Sequence, residues 1–423
     1  MNQTLKKYQE AVAYLSQFER KGIHMDLGYI AKLLADLGNP HKKYKSVHIG
    51  GTNGKGSVGA MLSCILDKAG YKVGLYTSPH LVDLRERIRL NGTMISEKDF
   101  LFLVNRIRSR NCENITYFEF LTSIALLYFH IQEVDIAIIE VGMGGRLDAT
   151  NLIEPELSVI TNISIEHQQY LGRHLDDIAR EKGGIIKKNN YIVTGAKQKK
   201  AVAILEEIAN NQHSCLYKNG RDFKVISKYK SSFSYYGIKN SYRNLNISLN
   251  GRHQIDNAAL ALASAELLKE RGFYISDLAL QTGIADARWD GRLELVSLSP
   301  SVVLDGAHNP AGISSLSRAL RMDFSYTKLI VVFGVMEDKN YIQMFNTLAN
   351  IANTIICTEP EAVRTLSMKR LQAAVRPGHV HVEYVKIPRE ALLRASQLAS
   401  RGDLIVVTGS LFLIGEIKAD YPF

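Results

Sequence analysis

From residue 46 to residue 69 the chain reads SVHIGGTNGKGSVGAMLSCILDKA. A short β-rich apolar run, a glycine-rich turn and a helical pattern follow one another, and no other feature constrains the fold as strongly. A strand that feeds a helix and is followed by another apolar run is a βαβ unit, and repeated units build a largely parallel sheet with helices on its faces. The alternation continues. Strands are predicted at Ser46–Ile49, Lys72–Tyr76, Asp135–Val141, Leu157–Thr161 and Tyr191–Thr194, and helices at Gly54–Ala69, His174–Lys187 and His253–Arg271. The stretch 216–249, rich in Ser, Tyr, Asn and Lys with partial alternation, reads as a small β excursion on the same domain.

A second alternating series begins after Trp289, with strands predicted at Val302–Leu304, Lys328–Phe333, Thr354–Cys357, His381–Tyr384 and Asp403–Val407. Strands so closely spaced make a compact, doubly wound domain. The joint is DARWDGRLE, Asp286 to Glu294, where polar residues and a glycine break the pattern. The expected organisation is α/β: a P-loop-type ATPase domain with a mainly parallel sheet over 1–289, then a smaller Rossmann-like domain over 290–423. At 423 residues the chain is long for one core and comfortable for two.

The glycine-rich turn has the context of a phosphate cradle, yet departs from the usual P-loop spacing. Gly50 stands one residue too close to Gly54, Ile49 occupies the expected glycine position, and Gly56 separates Lys55 from Ser57. The physics still favours an anion. Backbone N–H groups at a helix start point outward, the helix dipole attracts negative charge, and Lys55 adds a point charge. The plain alternative is a turn with an exposed lysine.

A nucleotide triphosphate travels with Mg²⁺, which takes hard oxygen ligands. The strand VDIAIIE ends in Glu140, at the carboxyl end of a buried parallel strand, where open α/β sheets bind ligands. Pairing with a nearby arginine is the competing explanation for that acid. Ser78, in TSPHL after a predicted strand, and His167, after LSVITNISIEH, fall on the same sheet edge. Alone, each is as readily structural. The chain lacks an Asn-Lys pair, so it has no guanine-reading motif, and it lacks the H-R-D and D-F-G motifs of protein kinases.

Composition narrows the class further. Apolar residues make up 46% and charged residues 22%, a soluble balance, and no segment approaches the roughly 18 uninterrupted apolar residues of a membrane span. The start of the chain carries scattered charges and no signal-peptide core, so a cytoplasmic protein is expected. Cys64, Cys112, Cys215 and Cys357 are far apart and read as buried thiols rather than zinc ligands or a disulfide framework. The net charge of +10 is spread along the chain without a dense run of Lys and Arg, KQKK at 197–200 coming near one. That spread suits a small polyanion such as ATP better than nucleic acid.

The motifs together resemble the folylpolyglutamate synthase/dihydrofolate synthase family of the Mur ligase superfamily. The matches run in order: GTNGKGS at 51–57, YTSPHLVDLRERIRLNG at 76–92, TYFEFLT at 116–122, EVGMGGRLDATN at 140–151, EHQQYLG at 166–172, AREKGGIIK at 179–187, GRHQIDNAALAL at 251–262, DGRLE at 290–294, LDGAHNP at 304–310, FGVMEDKN at 333–340 and VTGSLFLIGE at 407–416. The resemblance implies roles for matching residues. Gly54, Lys55, Gly56 and Ser57 would hold the ATP phosphates, with Asn257, Arg292 and Asp305 also contacting ATP. Ser78, Glu140 and His167 would bind one or two Mg²⁺ ions, and a monovalent cation is left open. Met25, Asp26, Phe118, Asp148 and Ala149 would line a pterin pocket. His308 and Ser410 would lie near the incoming glutamate. Lys182 matches a lysine that the family carries as a carbamate. From the residues alone it reads as an exposed helix lysine. The chain departs from the family at Gly183, often Ala, and at Glu166-His167, often Asp-His.

The implied reaction joins L-glutamate to dihydropteroate or to folate glutamate tails through an acyl phosphate, in a protein expected to be a monomer. Lys55, Lys182 and His308 are the candidate catalytic residues. Closure of the two domains about the joint near 290 would exclude water. An enzyme that only lengthens the tail, an ATP-dependent switch and a nucleic-acid binder are the alternatives.

Overall fold

The computed structural model describes residues 6–22, 24–110, 114–227, 231–362, 364–376 and 378–421; Cys112 and residues 228–230 of the β excursion lie outside them. Contacts divide the chain into two compact units. The first comprises Met1–Pro79, Arg85–Ser248 and Ile255–Ala287, and the second His80–Leu84, Leu249–Gln254 and Arg288–Phe423. The second unit thus starts just ahead of residue 290 and takes in two short segments that no sequence pattern marks.

Among the described residues the first unit is built on an eight-stranded sheet. Its strands are β1 (Lys45–Gly50), β2 (Val73–Tyr76), β3 (Ile88–Leu90), β4 (Thr93–Met94), β5 (Ile136–Glu140), β6 (Leu157–Ile160), β7 (Tyr191–Thr194) and β8 (Cys215–Lys218), in the order β4-β3-β2-β5-β1-β6-β7-β8. From β2 to β8 the pairs are parallel, and β3 and β4 add an antiparallel edge. Every residue of β2, β5 and β6 is buried, as expected of strands covered on both faces. Register fixes the site: Ile49 lies beside Glu140 and Tyr76 beside Ile139, so the turns after β1, β2 and β5 emerge together at one sheet edge.

The helices form where local signals agree with burial. Thr116 and Glu119 cap the helix Tyr117–Ile131 reciprocally: Thr116 Oγ1 accepts the Glu119 N–H at 3.2 Å, and Glu119 Oε2 accepts the Thr116 N–H at 2.8 Å. Such a cap contributes about 1 kcal/mol. The β excursion is smaller than expected. Leu216–Lys218 belongs to β8 of the main sheet, and only β9 (Lys224–Ser227), β10 (Ser232–Tyr236) and β11 (Ser241–Asn246) form the separate antiparallel sheet.

The second unit holds β12 (Glu294–Leu298), β13 (Ser301–Asp305), β14 (Leu329–Phe333), β15 (Thr354–Cys357), β16 (His381–Tyr384) and β17 (Leu404–Thr408), in the order β12-β13-β17-β14-β15-β16. Alternate residues feed two cores. Val303, Val331 and Val406 enter one cluster, and Val302, Ile330, Val332, Ile405 and Val407 the other, as the strand period of two requires. The edge strand β12 pairs antiparallel with β13 and has no counterpart among the predicted strands. The cysteines are not uniformly buried: Cys357 is, but Cys64 is half-buried and Cys215 exposed, because β8 lies at the sheet edge. Among the described residues no helix is long and apolar enough to cross a membrane.

Candidate active site

The turn after β1 is shaped by glycines at positions no side chain could occupy. Gly54 has φ +88°, and a Cβ there would sit 2.5 Å from Asn257 Oδ1. Gly51 has φ +131°, and its Cβ would meet Thr161 Oγ1. The loop is clamped from the end of β6: Thr161 Oγ1 donates to Asn53 O at 2.7 Å, and Asn162 holds both the Asn53 carbonyl and its N–H. The helix Lys55–Lys68 then starts directly at Gly54. Lys55 Nζ donates to the carbonyls of Gly51 and Thr52 at 3.2 and 3.3 Å. Ser57 Oγ is buried with no hydrogen-bond partner among the described residues.

Glu140, 5% exposed at the end of β5, faces this turn. Its Oε1 lies 3.8 Å from Lys55 Nζ, and its Oε2 accepts a long 3.4 Å bond from the Ser78 N–H. The acid at the strand end is therefore paired with the loop lysine. Among the described residues no three His, Cys, Asp or Glu side chains gather as a metal cluster. A magnesium site built from hydroxyls and one carboxylate does not need such a cluster. The buried Ser57 hydroxyl, without a partner among the described residues, and the Glu140 carboxylate are hard-oxygen donors of the kind that fit Mg²⁺. His167 stands at φ +45° at the head of the short helix Gln168–Leu171, adjacent to Glu166.

Lys182 is not an exposed helix residue. It is 1% exposed, and its Nζ donates to Glu166 Oε1 at 2.7 Å and to Gly51 O at 2.9 Å. Burial disfavours the ionised form of Glu166, but the charges of Lys182 and Lys55 outweigh it and hold the carboxyl at about 2. Burial lowers the Lys182 pKa, Glu166 opposes that, and Lys55 adds to it. The amine thus ties the helix Leu175–Gly183 to the glycine-rich turn after β1, and Glu166 balances its charge.

A cavity of about 270 Å³ opens beside Ser78, and Met25, Asp26, Phe118, Asp148 and Ala149 all line it. Gly142 passes so close to the Phe118 ring that a Cβ would come within 2.4 Å of it. Asp148 is locked from behind. Its Oδ1 accepts the Thr150 N–H at 3.0 Å and the Thr150 hydroxyl at 2.5 Å, and its Oδ2 accepts the Met143 N–H at 2.9 Å. Burial raises its pKa, against those hydrogen bonds. Met25 and Asp26 sit at the exposed rim, where Asp26 accepts the Gly28 N–H.

In the second unit, Asp305 ends β13 and accepts N–H bonds from Leu293 at 2.9 Å and Ala307 at 3.0 Å. Burial raises its pKa, while Arg292 and His253 oppose the rise. Arg292 Nη1 donates to Gly291 O. His308 Nδ1 lies 2.8 Å from Gly306 O, and Ser410 caps the helix Leu411–Asp420 by accepting the Phe412 N–H. Sequence reasoning missed His24, Arg87 and Glu119 in the cavity wall, although the Thr116-x-x-Glu119 capping pattern was visible. It also missed Glu166 as the partner of Lys182 and the buried pair His48 and Thr150, for which the sequence carries no local signal.

The comparisons agree with this architecture. The Mur ligase middle domain matches residues 49–265, and the Mur ligase glutamate ligase domain matches residues 291–411. The chain is 36% identical to the dihydrofolate synthase/folylpolyglutamate synthase of Bacillus subtilis, covering 97% of this chain and 98% of that protein. Thermotoga maritima folylpolyglutamate synthase superposes with a TM-score of 0.84 at 37% identity, covering 97% of this chain and 96% of the other. Mycobacterium tuberculosis folylpolyglutamate synthase complexed with ADP gives a TM-score of 0.92 at 31% identity, covering 98% of each chain. With both Mur ligase domains matched in register and relatives aligned end to end, the chain belongs to the folylpolyglutamate synthase/dihydrofolate synthase family of ATP-dependent amide-forming ligases.

Proposed function

We propose that the protein ligates L-glutamate to dihydropteroate, giving dihydrofolate, and to the glutamate tails of folates, using ATP. One observation carries this reading: the cavity and the phosphate loop are neighbours through Ser78, which lines the cavity while its N–H reaches Glu140, itself 3.8 Å from Lys55. An aromatic acid seated in the cavity would present its carboxylate toward the terminal phosphate of a nucleotide in the Gly54–Ser57 cradle. E. coli FolC in complex with DHPP and ADP, similar to this chain at a TM-score of 0.92 and 29% identity, supports the same pair of ligands.

In the first step a carboxylate oxygen bonds to the γ-phosphorus, the bond to the β,γ-bridging oxygen breaks, and ADP leaves. The α-amino nitrogen of glutamate then bonds to the acyl carbon, inorganic phosphate departs with the bonding electrons, and the amine gives up a proton. Two anions meet in the first step, so Lys55 and the helix N-terminus act by offsetting phosphate charge and holding the groups in line. Ser57, Ser78, Glu140 and His167 are the residues that would hold Mg²⁺, whose charge neutralises the phosphate oxygens. Asn257, packed on Gly54, is assigned to the nucleotide. By the family resemblance Arg292 and Asp305 are assigned to the nucleotide, and His308 and Ser410 to glutamate. Activity on dihydropteroate is favoured because Phe118 and Asp148–Ala149 share the cavity wall with Met25 and Asp26. We place the enzyme in the cytoplasm as a monomer.

Mass spectrometry of products from ATP, glutamate and either dihydropteroate or tetrahydrofolate tests the reading. Glutamyl products with both acceptors, each accompanied by ADP, are expected. Product from tetrahydrofolate alone restricts the enzyme to tail lengthening, and product from neither overturns the assignment.

A further inference from the structure

We infer that Thr150, backed by His48, is a positioning residue that sets the Asp148 carboxylate for the nitrogen-rich ring of the acceptor; the inference rests on the acceptor occupying the cavity as proposed above. His48 lies on β1 and Thr150 in the turn Ala149–Leu152, 102 residues later, and both are fully buried. His48 Nε2 is 2.8 Å from Thr150 Oγ1, which is 2.5 Å from Asp148 Oδ1.

The proton positions follow from the partners. Asp148 accepts two backbone N–H groups as well as the hydroxyl, so it acts as the acceptor throughout, and Thr150 donates its single proton to it. Thr150 Oγ1 must then accept, and His48 donates from Nε2. His48 Nδ1 is buried with no partner among the described residues, which an N–H there would leave as an unmet donor. The imidazole is therefore neutral with its proton on Nε2.

A turn of this kind needs only the Thr150 backbone N–H to satisfy the aspartate. Adding a hydroxyl and an imidazole buries polar groups, one nitrogen of which goes unpaired, where a Val and an aliphatic neighbour would pack without that cost. What the network secures is orientation. Asp148 lines the cavity, Thr150 and His48 do not, and the Asp148 Oδ2–Met143 N–H bond carries the constraint into the glycine loop that forms the cavity wall. Carboxylates that must meet a ligand at one angle are held in this way by a further layer of hydrogen bonds.

The test compares Thr150→Val with Thr150→Ser and His48→Gln, measuring KM for each acceptor, for ATP and for glutamate. Thr150→Val is expected to raise the acceptor KM about tenfold, the worth of one charge-assisted hydrogen bond, with the ATP KM moved less than about twofold. Thr150→Ser, which keeps the hydroxyl, should restore it. An unchanged acceptor KM, or equal shifts in all three, would overturn the proposal. Nitrogen-15 NMR of His48 in the wild-type protein reads the relay without activity, so it separates this inference from the assignment of substrate. A proton on Nε2 is expected; a proton on Nδ1 ends the proposal even if the ligase is active, and this readout holds even if Thr150→Val does not fold.

Discussion

Lys182 Nζ and Glu166 Oε1 lie 2.7 Å apart in a place where both side chains are almost wholly withdrawn from solvent. A buried, unpaired ammonium would be costly, and the carboxylate answers that charge directly. Removing one member of such a pair leaves an uncompensated charge in low dielectric, which typically costs about 3–5 kcal/mol. Glu166→Gln is therefore expected to lower stability by that order, seen as a drop in the urea midpoint. A midpoint within experimental scatter of wild type would mean that Lys182 carries no ammonium charge for Glu166 to balance, as when its nitrogen is a carbamate, and carbon-13 bicarbonate NMR would reveal that carbamate.

Lys55 hydrogen-bonds carbonyls of its own loop and pairs at 3.8 Å with Glu140, so its removal costs some stability at that buried carboxylate while the strands and helix around it keep their own hydrogen bonds. Lys55→Ala is expected to slow acceptor-dependent ADP release by about 100- to 1000-fold, by analogy with the loss of a preorganised charge-stabilising donor. Circular dichroism should be unchanged. Retention of rate within tenfold would take the terminal phosphates away from this turn.

The parts of the site that sequence makes visible are those in which one local segment carries the whole signal. Gly54–Ser57 stand between a strand and a helix, and Glu140 is an acid ending an apolar strand, so order along the chain is enough to pair them. Lys182 shows the limit. Nothing in AREKGG distinguishes a buried lysine from a solvated one, because its partners Glu166 and Gly51 come from other turns of the chain. His48 and Thr150 are hidden for the same reason, since a histidine inside an apolar strand has no visible partner until the register is known. The edge strand β12 is missed because apolar residues stand exposed on it, Leu298 at 79%, so it has no clean alternation of apolar and polar positions.

Gly142 and Phe118 offer a test of the cavity that leaves the nucleotide alone. An added methyl would approach the ring to 2.4 Å, so Gly142→Ala must push Phe118 off its rotamer. Overpacking of this kind costs about 1–3 kcal/mol. The acceptor KM should rise several-fold more than the ATP KM. Equal effects on both would indicate general loosening of the unit, and an unaltered acceptor KM would remove Phe118 from the binding wall.

His48 also makes stability depend on pH with a definite sign. Burial, assisted by the charge of Lys187, holds its pKa down at about 3, against 6.5 for an ordinary histidine. Between those values the unfolded chain binds a proton that the folded chain refuses. Its contribution is therefore complete above about pH 6.5 and is lost as the pH falls toward 3. The slope approaches about 1.4 kcal/mol per pH unit in that window. Glu166, held at about 2 against 4.5, loses stability in the same direction, but only at lower pH. Urea unfolding at pH 7, 6 and 5, in about the range where histidine alone titrates, isolates the effect. Wild type should lose more stability across this range than His48→Gln, whose side chain does not titrate. Parallel curves for the two proteins would mean that the imidazole reaches solvent, and the network it backs would lose its anchor.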